Sequence, residues 1–128
     1  MNLLLDTCTF LWVLIGAAEL SPRAASLVRA AENDVFLSSA SAWEIAIKYS
    51  RGQLRLPDRP ERYVPDERNA RGISPLGIDE ESALHVARLP ALHRDPFDRM
   101  MVAQAIVHGL TILTPDPLIS QYPIRTIW

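Results

Sequence analysis

The sequence predicts one three-layer α/β domain over residues 1–128, a mainly parallel central sheet covered by helices on both faces. Two observations predict it. Uninterrupted apolar runs recur along the chain at Leu3-Leu4-Leu5, Val35-Phe36-Leu37 and Thr111-Ile112-Leu113-Thr114. A run without polar alternation belongs to a strand buried on both faces, as in a parallel sheet. Between these runs lie longer segments with apolar residues at helical spacing, opened by Ser, Thr, Asp or Pro and closed by Gly. Strands that alternate with such segments form βαβ units.

Taken in order, Leu3–Leu5 is the first strand, with Asp6 at its carboxyl end. Thr7 or Thr9 caps a short helix carrying Phe10, Leu11, Trp12 and Leu14, and Ser21-Pro22 opens a second with Ala25, Leu27 and Val28. After the strand Val35–Leu37, the spacing Ser41-Ala42-Trp43-Glu44 matches a capping box, followed by Ile45, Ile47 and Tyr49 and stopped by Gly52. Prolines at 57, 60 and 65 make the stretch from Leu54 to Gly72 the least regular part, a loop with a short, interrupted, relatively mobile helix. Ile73 to Leu76 forms a brief strand, and Asp79 caps a helix bearing Ala83, Leu84, Ala87 and Leu89. Pro96, unfit for a helix interior but suited to a first turn, opens a further helix capped by Asp95, with Met101, Val102, Ala105 and Ile106 on one stripe and Gly109 as its stop. Thr111–Thr114 ends in the turn Pro115-Asp116-Pro117, and Ile124 to Trp128 adds a last strand.

The composition excludes several classes. Thirteen basic against fifteen acidic residues give a net charge of −2, so the chain does not hold nucleic acid by bulk charge, and any such contact is local or mediated by metal. A single cysteine, Cys8, rules out an intrachain disulfide and fits a reducing compartment. The start Met-Asn-Leu-Leu-Leu-Asp lacks a basic leader, and Asp6 interrupts its apolar run too early for a signal peptide or membrane span. A cytoplasmic protein with no membrane association is therefore expected. The three histidines, His85, His93 and His108, show no zinc spacing. Trp12 and Trp43 read as core or groove-wall residues.

The acids carry the chemistry. In parallel sheets, sites form outside the carboxyl ends of the strands. Asp6 and Asp116 each end a strand, while Glu44 and Asp98 each sit in the first turn of a helix that opens at the same edge. Asp98 heads the apolar stripe of its helix rather than its solvated side. Four carboxylates converging without a cation repel one another, so the economical expectation is one or two hard divalent ions on oxygen ligands, Mg²⁺ or Mn²⁺. Each acid keeps a structural alternative: Asp98 as a dipole-compensating first-turn acid, Glu44 as the capping-box acid, Asp116 as a turn former and Asp95 as a cap. Asp6, directly after a buried strand, has the least obvious capping duty. Thr114 either orients a metal-bound water or simply ends a strand.

Four pieces together resemble the PIN-domain ribonucleases, and within them the VapC-type toxins of type II toxin–antitoxin systems. They are Leu-Leu-Leu-Asp-Thr at 3 to 7, Ser-Ala-Trp-Glu-Ile at 41 to 45, Leu-Pro-Ala-Leu-His-Arg-Asp-Pro-Phe-Asp-Arg at 89 to 99 with Met-Val-Ala-Gln-Ala after it, and Leu-Thr-Pro-Asp-Pro at 113 to 117. Each is weak alone; in this order they are specific. The resemblance implies a PIN-like α/β/α domain and Mg²⁺- or Mn²⁺-dependent hydrolysis of RNA by a metal-activated water. It also implies toxin dimers and a cognate antitoxin whose tail occupies the groove. It places the catalytic acids on Asp6, Glu44, Asp98 and Asp116, with Asp6 and Asp98 holding the metal, Glu44 and Asp116 supporting, and Asp95 and Thr114 as neighbours. Arg94 or Arg99 neutralises the scissile phosphate in that scheme, against the alternative of a surface ion pair with Asp. The stretch from Arg59 to Gly72 departs most from a regular helix. The competing readings are a phosphatase with Asp6 as nucleophile, which wants a second acid where Cys8 stands, and a receiver-like phosphoacceptor, which wants a late Lys although the only Lys is Lys48. The non-enzymatic alternative is a catalytically silent PIN-like module that binds protein, its acids serving as helix caps.

Overall fold

The computed structural model describes residues 1–128. Its elements alternate as expected: β1 (Asn2–Leu5), α1 (Thr7–Ile15), α2 (Pro22–Arg29), β2 (Asp34–Ser38), α3 (Ser39–Ser50), α4 (Pro60–Ala70), β3 (Ser74–Leu76), α5 (Glu80–His85), α6 (Pro96–His108), β4 (Thr111–Leu113), α7 (Pro117–Ser120) and β5 (Thr126–Ile127). The five strands form one sheet in the order β3-β2-β1-β4-β5, every pair parallel. The register places Leu3, Leu4 and Leu5 beside Val35, Phe36 and Leu37 on one side and beside Thr111, Ile112 and Leu113 on the other.

Because side chains alternate along a strand, each apolar run feeds two cores. Leu3, Leu5, Val35, Leu37 and Leu113 pack on one face with Phe10, Ile45, Val64 and Ile73. Leu4 and Ile112 pack on the other with Met101, Val102, Ala105, Ile119 and Tyr122. Leu3, Leu4 and Leu5 have no exposed surface at all. Each such side chain contributes about 1.5–3 kcal/mol by burial, so truncation of Leu4 to Ala costs roughly 2–5 kcal/mol. The faces are joined at the carboxyl edge, where Ser38 at the end of β2 donates to Gln104 of α6 and Ser41 of α3 donates to Met101 Sδ at 3.3 Å.

Three local expectations need correction. The helix after β2 begins at Ser39 with Ser38 as its cap, so Ser41 and Glu44 form no capping box; Glu44 lies in the second turn. Neither Thr7 nor Thr9 caps α1, because Asp6 does. The stretch 59–72 contains an eleven-residue helix that runs through Pro65. The missing proline N–H leaves the Glu61 carbonyl without its usual donor, yet burial of Pro60 and Val64 and the bond from Arg68 Nη1 to the Ile73 carbonyl at 3.1 Å hold the helix at both ends. Gly109 stops α6 as expected, at φ 67°, a left-handed turn that glycine adopts without steric cost.

Candidate active site

From β1 the sheet grows outward in both directions, through β2 to β3 and through β4 to β5. The crevice at the carboxyl ends of β1 and β4 is therefore the topological switch point. Asp6 follows β1 directly, Thr114 and Asp116 follow β4, Glu44 comes from α3, and Asp98 from the first turn of α6.

Asp6 is buried, and both its oxygens are held. Thr9 N donates to Oδ1 at 2.7 Å and the Thr114 hydroxyl donates to Oδ2. The same Thr114 oxygen accepts from Asp116 N at 3.0 Å, so one hydroxyl couples the acids that follow β1 and β4. Thr9 Oγ1 in turn donates to the Leu113 carbonyl at 3.1 Å, fixing α1 to the end of β4. Burial pushes the Asp6 carboxyl above its usual range, the hydrogen bonds from Thr114 and Thr9 pull it down, and the charge of Asp116 adds to the rise.

Glu44 is equally buried, accepting from Thr7 Oγ1 at 2.7 Å and paired with Lys48 Nζ at 2.8 Å one turn along α3. Asp98 meets His93 across the α6 N-terminus, Nε2 to Oδ2 at 2.8 Å. The Asp95 N–H lies 3.4 Å from His93 Nδ1 and donates to it, which leaves the imidazole proton on Nε2 to be donated to Asp98. Burial and the neighbouring charge of Asp95 push Asp98 up to about 7, with Glu44 adding and the bond from His93 opposing. Asp95 itself caps α6, accepting from Phe97 N at 2.8 Å and Asp98 N at 3.3 Å.

Asp98 and Asp116 come together at this edge with His93 beside them, whereas Asp6 is joined to Asp116 through Thr114 and Glu44 stands on α3, held by Thr7 and Lys48. One ligand atom each from His93, Asp98 and Asp116 lies within 4.8 Å of the others. The Cys8 thiol is raised first by its own burial and then by the charge of Asp6, with Lys48 opposing and Glu44 and Asp98 adding. Of the capping alternatives, Asp6, Asp95 and Asp116 do cap α1, α6 and α7. Glu44 and Asp98 cap nothing. Against five carboxylates stand one lysine, tied to Glu44, and one imidazole. Buried carboxylates pushed toward neutrality, with oxygen donors facing one another, fit a hard divalent ion better than they fit an apo protein.

Sequence spacing missed His93. His93 stands in no zinc spacing and reaches Asp98 because the 93–95 segment folds back over the first turn of α6; an imidazole just ahead of an Asp-Pro-x-Asp helix start is the available signal. Arg99, a candidate phosphate ligand, is directed elsewhere. Its guanidinium donates to the carbonyls of Pro90 at 3.0 Å and Val86 at 3.2 Å and to Tyr122 Oη at 3.0 Å, pinning the 86–93 segment. That set of neutral acceptors, not a surface ion pair, is where its charge sits. Arg94 is exposed and forms no ion pair.

The PIN domain family matches residues 3–124. Ribonuclease VapC16 of Mycobacterium tuberculosis (strain ATCC 25618 / H37Rv) is 41% identical over 69 residues, which is 54% of this chain and 49% of that protein; the chain thus matches about half the length of this curated relative. VapBC2 from Rickettsia felis, solved bound to a DNA fragment from its promoter, superposes with a TM-score of 0.73 at 12% identity, covering 99% of this chain and 98% of that one. DNA-bound VapBC from Salmonella typhimurium gives 0.70 at 19% identity, covering 99% and 97%. At those identities the likeness is one of fold. With the family match running from β1 past α7, the chain belongs to the PIN domain family.

Proposed function

We propose that this chain is a Mg²⁺- or Mn²⁺-dependent endoribonuclease and acts as the toxin of a toxin–antitoxin pair in the cytoplasm. The observation that carries the reading is the meeting of Asp98, Asp116 and His93 at the carboxyl edge of the sheet, with Asp6 tied to Asp116 through Thr114 and with Asp6 and Asp98 both raised by burial. An RNA phosphate brings another negative charge to that place, and two like charges about 4 Å apart repel by about 4 kcal/mol near a protein surface. The hollow is therefore hostile to its substrate until a cation occupies it.

Asp6 and Asp98 would hold the ion, with Glu44 and Asp116 supporting. When bound, the ion lowers the pKa of a water and offsets charge building on the scissile phosphate. The chain's own residues prepare that event. Thr114 fixes the orientation of Asp6 and links it to Asp116, His93 turns Asp98, and Thr7 and Lys48 hold Glu44. Hydrolysis would form a bond from water oxygen to phosphorus as the bond to the leaving ribose oxygen breaks, the water giving up a proton and the ribose oxygen taking one up.

The partner reading draws on the relatives. The superposing structures are VapBC complexes, and the matched relative is named a ribonuclease. An apolar cavity of about 560 Å³ between α1, α2 and α4, lined by Val13, Leu20, Ala25 and Val28, offers surface to a protein partner such as an antitoxin or a second copy of the chain. No helix is long and apolar enough to cross a membrane. The capping role of Asp6, Asp95 and Asp116 favours the alternative of a silent binding module, and Glu44 and Asp98 speak against it. Incubation of the purified chain with RNA decides: cleavage with Mg²⁺ or Mn²⁺, none with chelator, and none by folded Asp98→Asn support the nuclease. Equal cleavage by Asp98→Asn, or none by the wild type with either ion, overturns it.

A further inference from the structure

Beside the acid hollow lies a second feature that the metal chemistry does not use. Trp43 and Glu44 are consecutive on α3, and Phe97 and Asp98 are consecutive on α6. A helix turns about 100° per residue, so each helix presents one acid and one aromatic on adjoining facets. The aromatics meet: the Trp43 and Phe97 rings are 5.1 Å apart at 81°, an edge-to-face pair that fixes the indole. The indole nonetheless leaves 60% of its residue surface in solvent, although a large aromatic usually covers more than that. Together the two rings wall a cavity of about 350 Å³, completed by Ile78, Val86, Met100 and Arg94.

Resting on the ribonuclease reading, we infer that this cavity receives an unpaired base of single-stranded RNA next to the scissile phosphate, stacked on Trp43, with Arg94 meeting an adjacent phosphate. Three features select a nucleotide over an apolar peptide side chain. A fixed, exposed indole is a flat platform, and every base has a π-face to lay on it. Arg94 is a guanidinium without a carboxylate partner, standing one residue from Asp95 in a strongly acidic neighbourhood; a phosphate completes it and a hydrocarbon does not. Finally, the platform and two of the acids share the same two helices, so a base held on one facet carries its own backbone past the other. A base within a duplex cannot be laid there without being unstacked, so the site selects loops and single strands.

The test uses binding and cleavage in parallel. A short single-stranded RNA, and the same RNA with one abasic position beside the cleavage site, are titrated against Asp98→Asn protein carrying Trp43, Trp43→Phe or Trp43→Ala, with binding read by fluorescence anisotropy. Trp43→Ala is expected to bind the intact RNA roughly 5- to 100-fold more weakly, Trp43→Phe to retain most of the affinity, and the abasic RNA to lose affinity to the Trp43 protein but not to Trp43→Ala. Arg94→Ala is expected to lower the salt slope of binding by about one. In the Asp98 background, Trp43→Ala should raise the KM for cleavage with kcat little changed. Equal binding of intact and abasic RNA by all three proteins overturns the inference while leaving the nuclease standing, and points to a protein segment as the occupant of the cavity. Base-dependent binding without cleavage by the wild type supports the stacking site and sinks the nuclease instead.

Discussion

The molecule contains two aspartate–histidine pairs that look alike in isolation and differ in everything that matters for chemistry. His108 Nε2 lies 2.8 Å from Asp79 Oδ1, and His93 Nε2 lies 2.8 Å from Asp98 Oδ2. Both aspartates sit at a helix N-terminus. Yet Asp79 is held well below the usual carboxylate range by the Ser82 hydroxyl and by His108, whereas Asp98 is pushed up to about 7 by burial and by the charge of Asp95. Asp79 caps α5 in contact with solvent, held by the Ser82 N–H and hydroxyl. Asp98 caps nothing, is only 16% exposed, and faces Asp95 and Glu44. The lesson is that an imidazole 2.8 Å away does not decide whether a carboxylate is a strut or a poised ligand; solvent and the other charges do.

Neutralising each aspartate in turn separates the two pairs most clearly. Asp98→Asn should lower metal-dependent RNA cleavage by roughly 10³-fold or more, the loss expected when several kcal/mol of charge stabilisation disappears. Asp79→Asn should leave the rate within about twofold, since its carboxylate does not face the hollow. An initial-rate assay on both variants checks this.

A second test uses pH. Asp98 must shed its proton to hold an ion, so Mn²⁺ affinity should rise about tenfold per pH unit up to about 7 and level off above it. Isothermal titration at several pH values reads the slope. A flat profile would mean that Asp98 is ionised throughout.

Removing a support rather than a ligand sharpens the picture further. Thr114→Val deletes the hydroxyl that lowers the Asp6 pKa and joins it to Asp116, and should weaken Mn²⁺ binding by roughly 10-fold with the fold retained. Titration alongside a circular dichroism melt separates the two effects.

The smallest effects are on stability, and their signs are opposite. Asp98 has a folded pKa raised from 3.8 to about 7, so without a cation its ionisation costs the folded state stability as pH rises through that window. Apo Asp98→Asn at about pH 8 should therefore melt roughly 3–6 °C above the wild type. Asp79 has a lowered folded pKa, so its contribution is present above 3.8 and is lost only as strong acid protonates it. Asp79→Asn should melt below the wild type at neutral pH. Calorimetric scans in chelator show both.

Much of this was legible in the sequence because it is encoded locally. Continuous runs such as Leu3–Leu5 announce strands covered on both faces, and Pro96 with Asp95 and Gly109 brackets α6. The positions of Asp6 and Asp116 after strands follow from those runs. What the sequence hid depends on contacts between distant segments. Ser38 displaced the capping box because β2 ends only where Ser38 donates to Gln104, sixty-six residues away. Asp6 takes both a cap and a tertiary bond from Thr114, and a carboxylate with two oxygens does both at once. The helix through Pro65 is held by burial of Val64, which local propensity opposes. Arg99 beside Asp98 looked like a substrate ligand, and only the fold-back of residues 86–93 shows carbonyls occupying it.

We propose that the hollow at the carboxyl ends of β1 and β4 holds a divalent cation on Asp98 and its neighbours. Calorimetric titration of Mn²⁺ into the wild-type chain and into Asp98→Asn at about pH 8 tests it most directly. A saturable heat in the wild type that vanishes in a folded Asp98→Asn is the predicted result. The same heat in both proteins, or none in a folded wild type, would contradict it.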